Sequence, residues 1–414
     1  MLQSQLFGKT LREAPKDEVS KNAILLSRAG YIDKLMAGVY SYLPLGLKVL
    51  TKIKNIVREE MVAIGGQEIL MPALQPKEIW EETKRWESLK EVMFQFKGRG
   101  DKEFGLGATH EEIVVDIVRK RVNSYRDLPI YLYQIQDKFR NEPRAKSGLL
   151  RGREFSMKDL YSFNKDQNDL EEFYKKSIIA YQKIFNRCAL NSIVTEASGG
   201  AFTDDFSHEF QVATPYGEDE VIKCEVCDFA QNTEVCQLKD GDICPKCGKI
   251  VKLIKSIEVG NIFKLGSKYS HDMGLTFNSE DGKKQEVVMG CYGIGPSRVM
   301  GSVVEVYHDD KGIIWPKNLT PYHAHLLLLD EKKAKQAQKL YNDLVRAGFD
   351  VLYDERQESA GVKLNDSDLI GISVQLLIGA KTDNKEIEYK LRDRSDQGKI
   401  QLTKVIDFLT KIYK

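Results

Sequence analysis

Residues Phe139–Phe163 read FRNEPRAKSGLLRGREFSMKDLYSF. Two runs of β-prone residues bracket a loop here. Tyr131–Gln136 comes before it and Glu154–Lys158 after it, with Gly148 and Gly152 in between. The stretch holds four arginines, Arg140, Arg144, Arg151 and Arg153. A guanidinium fork grips phosphate or carboxylate oxygens two at a time. Two strands joined by such a loop predict a site for a polyanion, and the rest of the chain is organised around it.

The bulk composition narrows the setting. A chain of 414 residues predicts two or three domains with ample core. Basic and acidic residues balance, 62 against 61, so a nucleic-acid partner would have to be met by a local patch. At 42% hydrophobic residues the chain is neither disordered nor membranous in type. The longest aliphatic run, Leu326–Leu329, is too short to span a bilayer, so no membrane partner is expected. The first twenty-one residues mix acids and bases without an apolar core, unlike a secretory signal, which points to the cytoplasm. Seven cysteines in that compartment suggest metal or free thiols before disulfides.

In chain order, residues 23–44 suggest an extended, packed entry segment. Leu50, Ile53, Val57, Met61 and Ile64 then recur at helical spacing, closed by Gly65-Gly66. Glu68–Met71 reads as a strand stopped by Pro72. The polar stretch Trp80–Phe96, with scattered aromatics, is placed beside the site. The strand end FGLGAT leads into a helix over His110–Tyr125. Leu170, Phe173, Tyr174, Tyr181, Ile184 and Phe185 mark a long helix, and Ser192–Glu196 and His208–Val212 two strands. Residues 213–255 change character: lysine-rich, poor in large aliphatics, with five cysteines, four of them in two pairs. After Pro316 and Pro321, strands at His325–Leu329, Phe349–Tyr353, Ser373–Ile378 and Glu386–Leu391 combine with a helix at Lys332–Ala347 into a compact α/β domain.

Several separated motifs, in order, carry a resemblance along nearly the whole chain. They are SRAGYIDKLMAGVYSYLPLGLKVL with the helix that follows to Pro72, FGLGATHEE, the opening stretch, IEVGNIFKLGSKYS, MGCYGIGPSR and YDERQESAGVKLNDSDLIGI. Together they resemble the bacterial prolyl-tRNA synthetases, a family of class II aminoacyl-tRNA synthetases. The resemblance implies an α+β protein with four parts. Residues 1–212 and 256–320 would form an antiparallel-sheet catalytic core carrying motifs 1, 2 and 3. Residues 213–255 would be a small cysteine-rich insert, and 321–414 a C-terminal α/β anticodon-binding domain. It implies a homodimer joined through motif 1, and a two-step ligase reaction. ATP and L-proline would give prolyl-adenylate, and the prolyl group would pass to tRNA(Pro).

Residue roles follow from the resemblance and from the chemistry. Two anions must be brought together for adenylation, which calls for fixed positive charge. Arg140, the motif-2 arginine, is expected to bridge the proline carboxylate and the α-phosphate. Arg298 is the second catalytic candidate, its guanidinium plane above adenine and its charge near the γ-phosphate, with the Phe155 ring below. Glu142, two residues along the same strand as Arg140, would read the adenine amino group. Arg151 would reach the γ-phosphate, and Asn261 the ribose or ATP. Glu258 is the candidate for Mg²⁺ through the phosphates. The segment GCYGIGPSR has the wrong glycine spacing and context for a dinucleotide fingerprint. Proline's ammonium offers two N–H donors and one charge, which Thr109 and Glu111 could satisfy. In another context that pair would be a helix cap with a first-turn acid. Met157 and Phe263 would wall the ring, and Cys291 would shape the pocket without acting as a nucleophile. His110 and His208 are assigned structural places.

Cys224-x-x-Cys227 and Cys244-x-x-Cys247 have the spacing of a tetrahedral four-thiolate Zn²⁺ site. Unmetallated thiols are the plainer alternative, and Cys236 stands apart as a non-ligand. Most bacterial relatives carry a large editing domain at this place, which hydrolyses alanyl-tRNA. Some forty residues stand there instead, so little or no editing in cis is expected. For tRNA, Arg144 and Lys146 of the motif-2 loop are candidates for the acceptor stem. Glu355, Arg356 and Lys363 are candidates for the anticodon, with surface salt bridges as the alternative. Such phosphate contacts make binding salt-dependent. Two rival readings share these residues: a synthetase-like protein that binds tRNA without charging it, and a synthetase for threonine, histidine or glycine. The presence of Arg140, Glu111 and Arg298 counts against the first, and Thr109/Glu111 with CYGIG against the second.

Overall fold

The structure is a computed structural model. It describes residues 1–414 apart from Pro15, Asp17, Lys146, Ala201, Asp204, Asp205, Lys381, Asn384 and Lys414. The entry segment is not extended. It opens with helix α1 (Lys21–Arg28), which buries Ala23, Leu25 and Leu26, followed by a hairpin of Ile32–Met36 on Val39–Tyr42. Gly30 and Gly38, at φ 74° and 75°, turn the chain where extension was expected. Helix α2 (Pro44–Ala63) then starts with proline at its first turn and buries Val49, Leu50, Ile53, Val57 and Met61.

The centre is a nine-stranded sheet, mostly antiparallel. Around it, in chain order, come α3 (Glu111–Arg119), β1 (Ile130–Phe139), β2 (Glu154–Asn164) and α4 (Gln167–Arg187). Then follow β3 (Ser192–Ala197), β4 (Ser207–Ala213), β5 (Asp219–Cys224), β6 (Ala230–Asn232), β7 (Val251–Gly266), β8 (Val288–Ile294) and α5 (Pro296–Val306). The spatial order is β4-β3-β6-β5-β7-β8-β2-β1, with Gln67–Glu68 parallel at the far edge. The strand expected at Glu68–Met71 is therefore only that short edge pair.

β1 and β2 run further than the sequence patterns suggested. Asp137-Lys138 looks like a loop, yet Lys138 is fully buried and its Nζ lies 2.8 Å from Asp159 Oδ1 on β2. A charge satisfied across the ladder does not end a strand. Conversely, α3 stops at Arg119. Ser124 instead caps a single turn at Tyr125–Asp127 through its capping box.

The boundary placed at 255/256 falls inside β7, one continuous strand from Val251 to Gly266. Its first half pairs with β5 and its second with β8. The cysteine-rich insert is therefore built onto the catalytic sheet, with its own small core of Ile222, Cys224, Cys244 and Val251.

The last domain has β9 (Ala324–Leu328), α6 (Ala334–Arg346), β10 (Val351–Asp354), α7 (Ala360–Ile370), β11 (Val374–Ile378), β12 (Glu386–Leu391), β13 (Gln397–Gln401) and α8 (Val405–Tyr413). β9 pairs in parallel with β10 and β11, and β12 and β13 continue antiparallel. Helix α7 had no apolar period to announce it. Ser359 caps its start through the Val362 N–H, and Gly371 ends it at φ 82°. The domain is docked firmly: Leu369, Ile370 and Ile372 share the main apolar core, and the buried Tyr31 hydroxyl donates to the Ile370 carbonyl at 2.8 Å. Among the described residues, no helix is long and apolar enough to cross a membrane.

Candidate active site

One face of the sheet packs on helices. Leu160, Tyr292 and Ile262 lie against Phe173, Tyr174 and Tyr181 of α4. The other face floors a cavity of about 520 Å³. Strand register explains the sorting. Met157 pairs with Gln136, Tyr161 with Cys291 and Cys291 with Phe263, so alternate residues of three strands point the same way. A bulge between Phe210 and Gln211 on β4, opposite Val259 of β7, shifts the alternation near Glu258.

The cavity brings together nearly every residue expected there: Thr109, Glu111, Arg140, Glu142, Arg144, Arg151, Phe155, Met157, Glu258, Asn261, Phe263, Cys291 and Arg298. The reason given for Glu142 was wrong. β1 ends at Phe139, so strand alternation does not place it. A tight loop does, with the Glu142 N–H donating to the Arg140 carbonyl at 2.7 Å. Lys146 lies outside the described residues.

At one end, Thr109 Oγ1 donates to Glu111 Oε2 at 2.6 Å, and the Cys291 thiol to Glu111 Oε1 at 3.4 Å. Burial pushes the Cys291 thiol well up, with Glu111 adding to it, away from the reactive thiolate. At the other end, Arg298 Nη1 donates to the Glu258 carboxylate at 2.8 Å and its Nε to the Leu150 carbonyl at 2.8 Å. Arg151 faces Glu218 at 3.6 Å. Between the ends lies Arg140. Its Nε donates to the Ala108 carbonyl at 3.2 Å, and its guanidinium stands 5.3 Å from the Phe155 ring centre. Burial and then Arg298 push Arg140 down, while Glu111 and Glu258 pull it up.

Under the floor, Lys138 Nζ donates to His110 Nδ1 at 2.8 Å, and His110 Nε2 donates to the Pro72 carbonyl at 3.1 Å. Burial and Lys138 push His110 down to about 4, so it is neutral and structural. Asp159 accepts from Gln134 and Tyr161 at 3.0 Å each. The His208 ring meets the Tyr174 hydroxyl at 2.8 Å, away from the cavity.

Three further participants escaped the sequence. Arg85, Glu112 and Phe202 gather at the Glu111 end. Arg85 lies in the polar, aromatic-dotted stretch beside the site, and an arginine among tryptophans was the available signal. Carboxylates also collect near Glu258. Glu209 is pushed up to about 7 by burial and by Glu258, and Asp219 is raised by the same causes.

The anticodon candidates lie in another domain, away from the cavity. Lys363 is corrected: it is 1% exposed, and its ammonium donates to the carbonyls of Leu328 at 2.6 Å and Asp354 at 3.5 Å. A group with no surface cannot meet RNA. Arg356 spends its fork on Asp354 and Asp366, and Glu355 accepts from Ser4. Cys224, Cys227, Cys244 and Cys247 of the insert converge, with all their sulfurs within 4.8 Å of one another, and Cys236 is not among them. Cys224 and Cys247 are 3.5 Å apart, Cys227 and Cys244 3.6 Å, and none is in a disulfide.

The antiparallel core with its floor of strand residues, joined to the α/β domain, is that of a class II aminoacyl-tRNA synthetase. Residues 94–307 match the family "tRNA synthetase class II core domain (G, H, P, S and T)", and 319–412 match "Anticodon binding domain". A proline–tRNA ligase of Sulfurihydrogenibium sp. is 35% identical, with all of both chains covered. One of Nitratidesulfovibrio vulgaris is 36% identical over 91% of this chain and 92% of its own. Among solved structures, the Giardia lamblia prolyl-tRNA synthetase in complex with prolyl-adenylate superposes with a TM-score of 0.77 at 18% identity. It covers 95% of this chain and 79% of its own, and supports the fold. The chain belongs to the bacterial proline–tRNA ligases.

Proposed function

We propose that the cavity activates L-proline with ATP and that the chain then charges tRNA(Pro), with little or no clearing of alanyl-tRNA(Pro) in cis. Thr109 and Glu111 take the ammonium, and Met157, Phe263 and Cys291 enclose the ring. Arg140 holds the carboxylate and the α-phosphate together for in-line attack, and pyrophosphate leaves. Phe155 and Arg298 flank the base, Glu142 reads its amino group, Asn261 meets the ribose or ATP, and Arg151 and Arg298 face the outer phosphates. The 3′-terminal ribose hydroxyl of tRNA then attacks the activated carbonyl and AMP departs. Support comes from the Giardia relative, which was solved with prolyl-adenylate, and from a Cryptosporidium parvum relative solved with L-proline and AMP. The carrying observation is that Arg140 lines the same cavity as the Thr109–Glu111 pair and the Glu258–Arg298 pair. Pyrophosphate exchange with each amino acid tests it: exchange with proline is expected, and exchange with threonine alone overturns it.

Glu258, with Glu209 and Asp219 crowding it, suits a hard divalent cation, and Mg²⁺ bound there would offset phosphate charge. The cysteine cluster fits Zn²⁺. A tetrahedron with arms of about 2.3 Å has edges near 3.8 Å, close to the sulfur separations. Metal analysis of purified protein checks this.

The editing reading rests on length. The Sulfurihydrogenibium alignment spans 562 positions against 414 residues here. Each missing methylene is worth roughly 1–3 kcal/mol, so alanine is disfavoured but activated. Rapid deacylation of alanyl-tRNA(Pro) by the purified protein would refute the reading.

The motif-1 region leaves Leu35, Met36, Leu47, Val62 and Leu70 exposed, apolar surface that a second copy would cover in a cytoplasmic homodimer. For tRNA, Arg144 remains placed at the cavity mouth, and Lys146 stays a candidate in the same loop.

A further inference from the structure

Glu111 and Glu112 are adjacent in the first turn of α3, and both are fully buried. Two buried carboxylates side by side resist ionising together. Arg85 answers them. Its Nη1 lies 2.8 Å from Glu112 Oε1 and 3.4 Å from Glu111 Oε2, and the residue is 8% exposed. Its guanidinium stands 5.3 Å from the ring centres of Trp80 and Tyr269 and 5.6 Å from that of Phe202. Phe202 in turn lies 4.8 Å from Phe263, and both line the cavity. Among the described residues, Glu112 Oε2 finds no hydrogen-bond partner. Burial pushes the Glu112 carboxyl up, and Arg85 works against that rise.

We propose that Arg85 is a positioning residue for amino-acid recognition. It pairs with Glu112 and so offsets one of the two buried carboxylates, leaving Glu111 to face a single ammonium. Through Phe202 it also holds the aromatic wall. The proposal rests on the reading of Glu111 as the ammonium partner. Arg85 touches no reacting atom. Its chemistry is that of a fixed counter-charge, aimed by its aromatic surround.

Pyrophosphate exchange on the full-length protein tests it. Arg85→Met should raise the KM for proline about tenfold or more, the scale of a lost charge-assisted hydrogen bond, with the KM for ATP within about twofold. Adding Glu112→Gln to Arg85→Met removes the charge that Arg85 offset, and should bring the proline KM back to within about threefold of the parent. A double variant no better than Arg85→Met, or equal rises in both KM values, would mean that Arg85 serves only as packing. If Arg85→Met does not fold, Glu112→Gln alone decides. It leaves Arg85 to neutralise Glu111, so the proline KM should rise, and an unchanged value overturns the proposal. Glu111→Gln separates the two readings. An unchanged proline KM in that variant defeats the ammonium site itself. A raised KM there beside an unaffected Arg85→Met defeats Arg85 alone.

Discussion

β2 has two faces made from one run of sequence, and they solve the problem of buried polarity in opposite ways. On the cavity face Asp159 is tied to Lys138, Gln134 and Tyr161. On the helix face Lys158 points at α4 with its ammonium 2.5 Å from the Tyr181 hydroxyl and 3.0 Å from the Tyr292 carbonyl, and no carboxylate within salt-bridge distance is found among the described residues. On the cavity face, against burial, Lys138 and His110 hold the Asp159 carboxyl below its ordinary value. The charge on the helix face is discouraged. Changes on the first face should cost activity, and changes on the second should alter stability.

The sharpest way to break that contrast is Arg140→Ala. Among the described residues this side chain makes one hydrogen bond, to the Ala108 carbonyl, and otherwise faces the Phe155 ring, so the fold should survive its loss. Proline-dependent exchange should fall by about 10²–10³-fold or more, the cost of one preorganised charge in a water-poor site. An unfolded variant, rather than an inactive folded one, would erase the distinction between the faces. Arg298→Ala is the next step down. Removing it frees Glu258 and leaves repulsion toward phosphate. The KM for ATP should rise by about tenfold, from roughly 1.5–3 kcal/mol for a hydrogen bond to a charged group. A parallel rise in the proline KM would contradict the separation of the two ends of the cavity.

The cysteine cluster at the end of β5 belongs to neither face. A chelator should lower the thermal midpoint, because metal affinity is folding free energy in such modules. Exchange with proline should stay within a factor of ten, about 1.4 kcal/mol of barrier. A larger drop would mean that β7 transmits the state of the insert to Glu258 and Asn261 further along the same strand.

How much was legible follows from where each signal lives. Arginines around a turn, a Thr-His-Glu run at a helix start and paired cysteines are local patterns, and the cavity and the cysteine cluster contain them. Helix α7 was missed because AGVKLNDSDLI has no apolar stripe: it is buried partly by polar contacts such as Asp368 with Lys390 at 2.9 Å. Lys363 was misassigned for the same reason, since a lysine in a motif looks exposed until its carbonyl partners are known. Arg85 could not be located because its partners lie twenty-six and twenty-seven residues away in sequence and depend on the fold. The boundary at 255 failed because composition changes there while the backbone does not.

The smallest effect concerns Lys158 itself. Burial pushes its ammonium down from 10.5 to about 7, with Cys291 and Asp159 pulling weakly the other way. The sign follows from proton counting. Between pH 7 and 10.5 the unfolded chain holds this proton and the folded chain does not, so stability rises with pH across that window. Below pH 7 both forms hold it, and its contribution is constant and least favourable. Lys158→Met keeps an apolar stem of similar length and removes the titration. The difference in unfolding free energy between parent and variant, measured by denaturant titration from pH 6.5 to 9, should change steadily in the parent's favour as pH rises, while exchange with proline is retained. Other titrating groups are common to both proteins and cancel. A difference independent of pH would show that Lys158 stays charged on the helix face, and that the two faces of the strand handle buried charge alike.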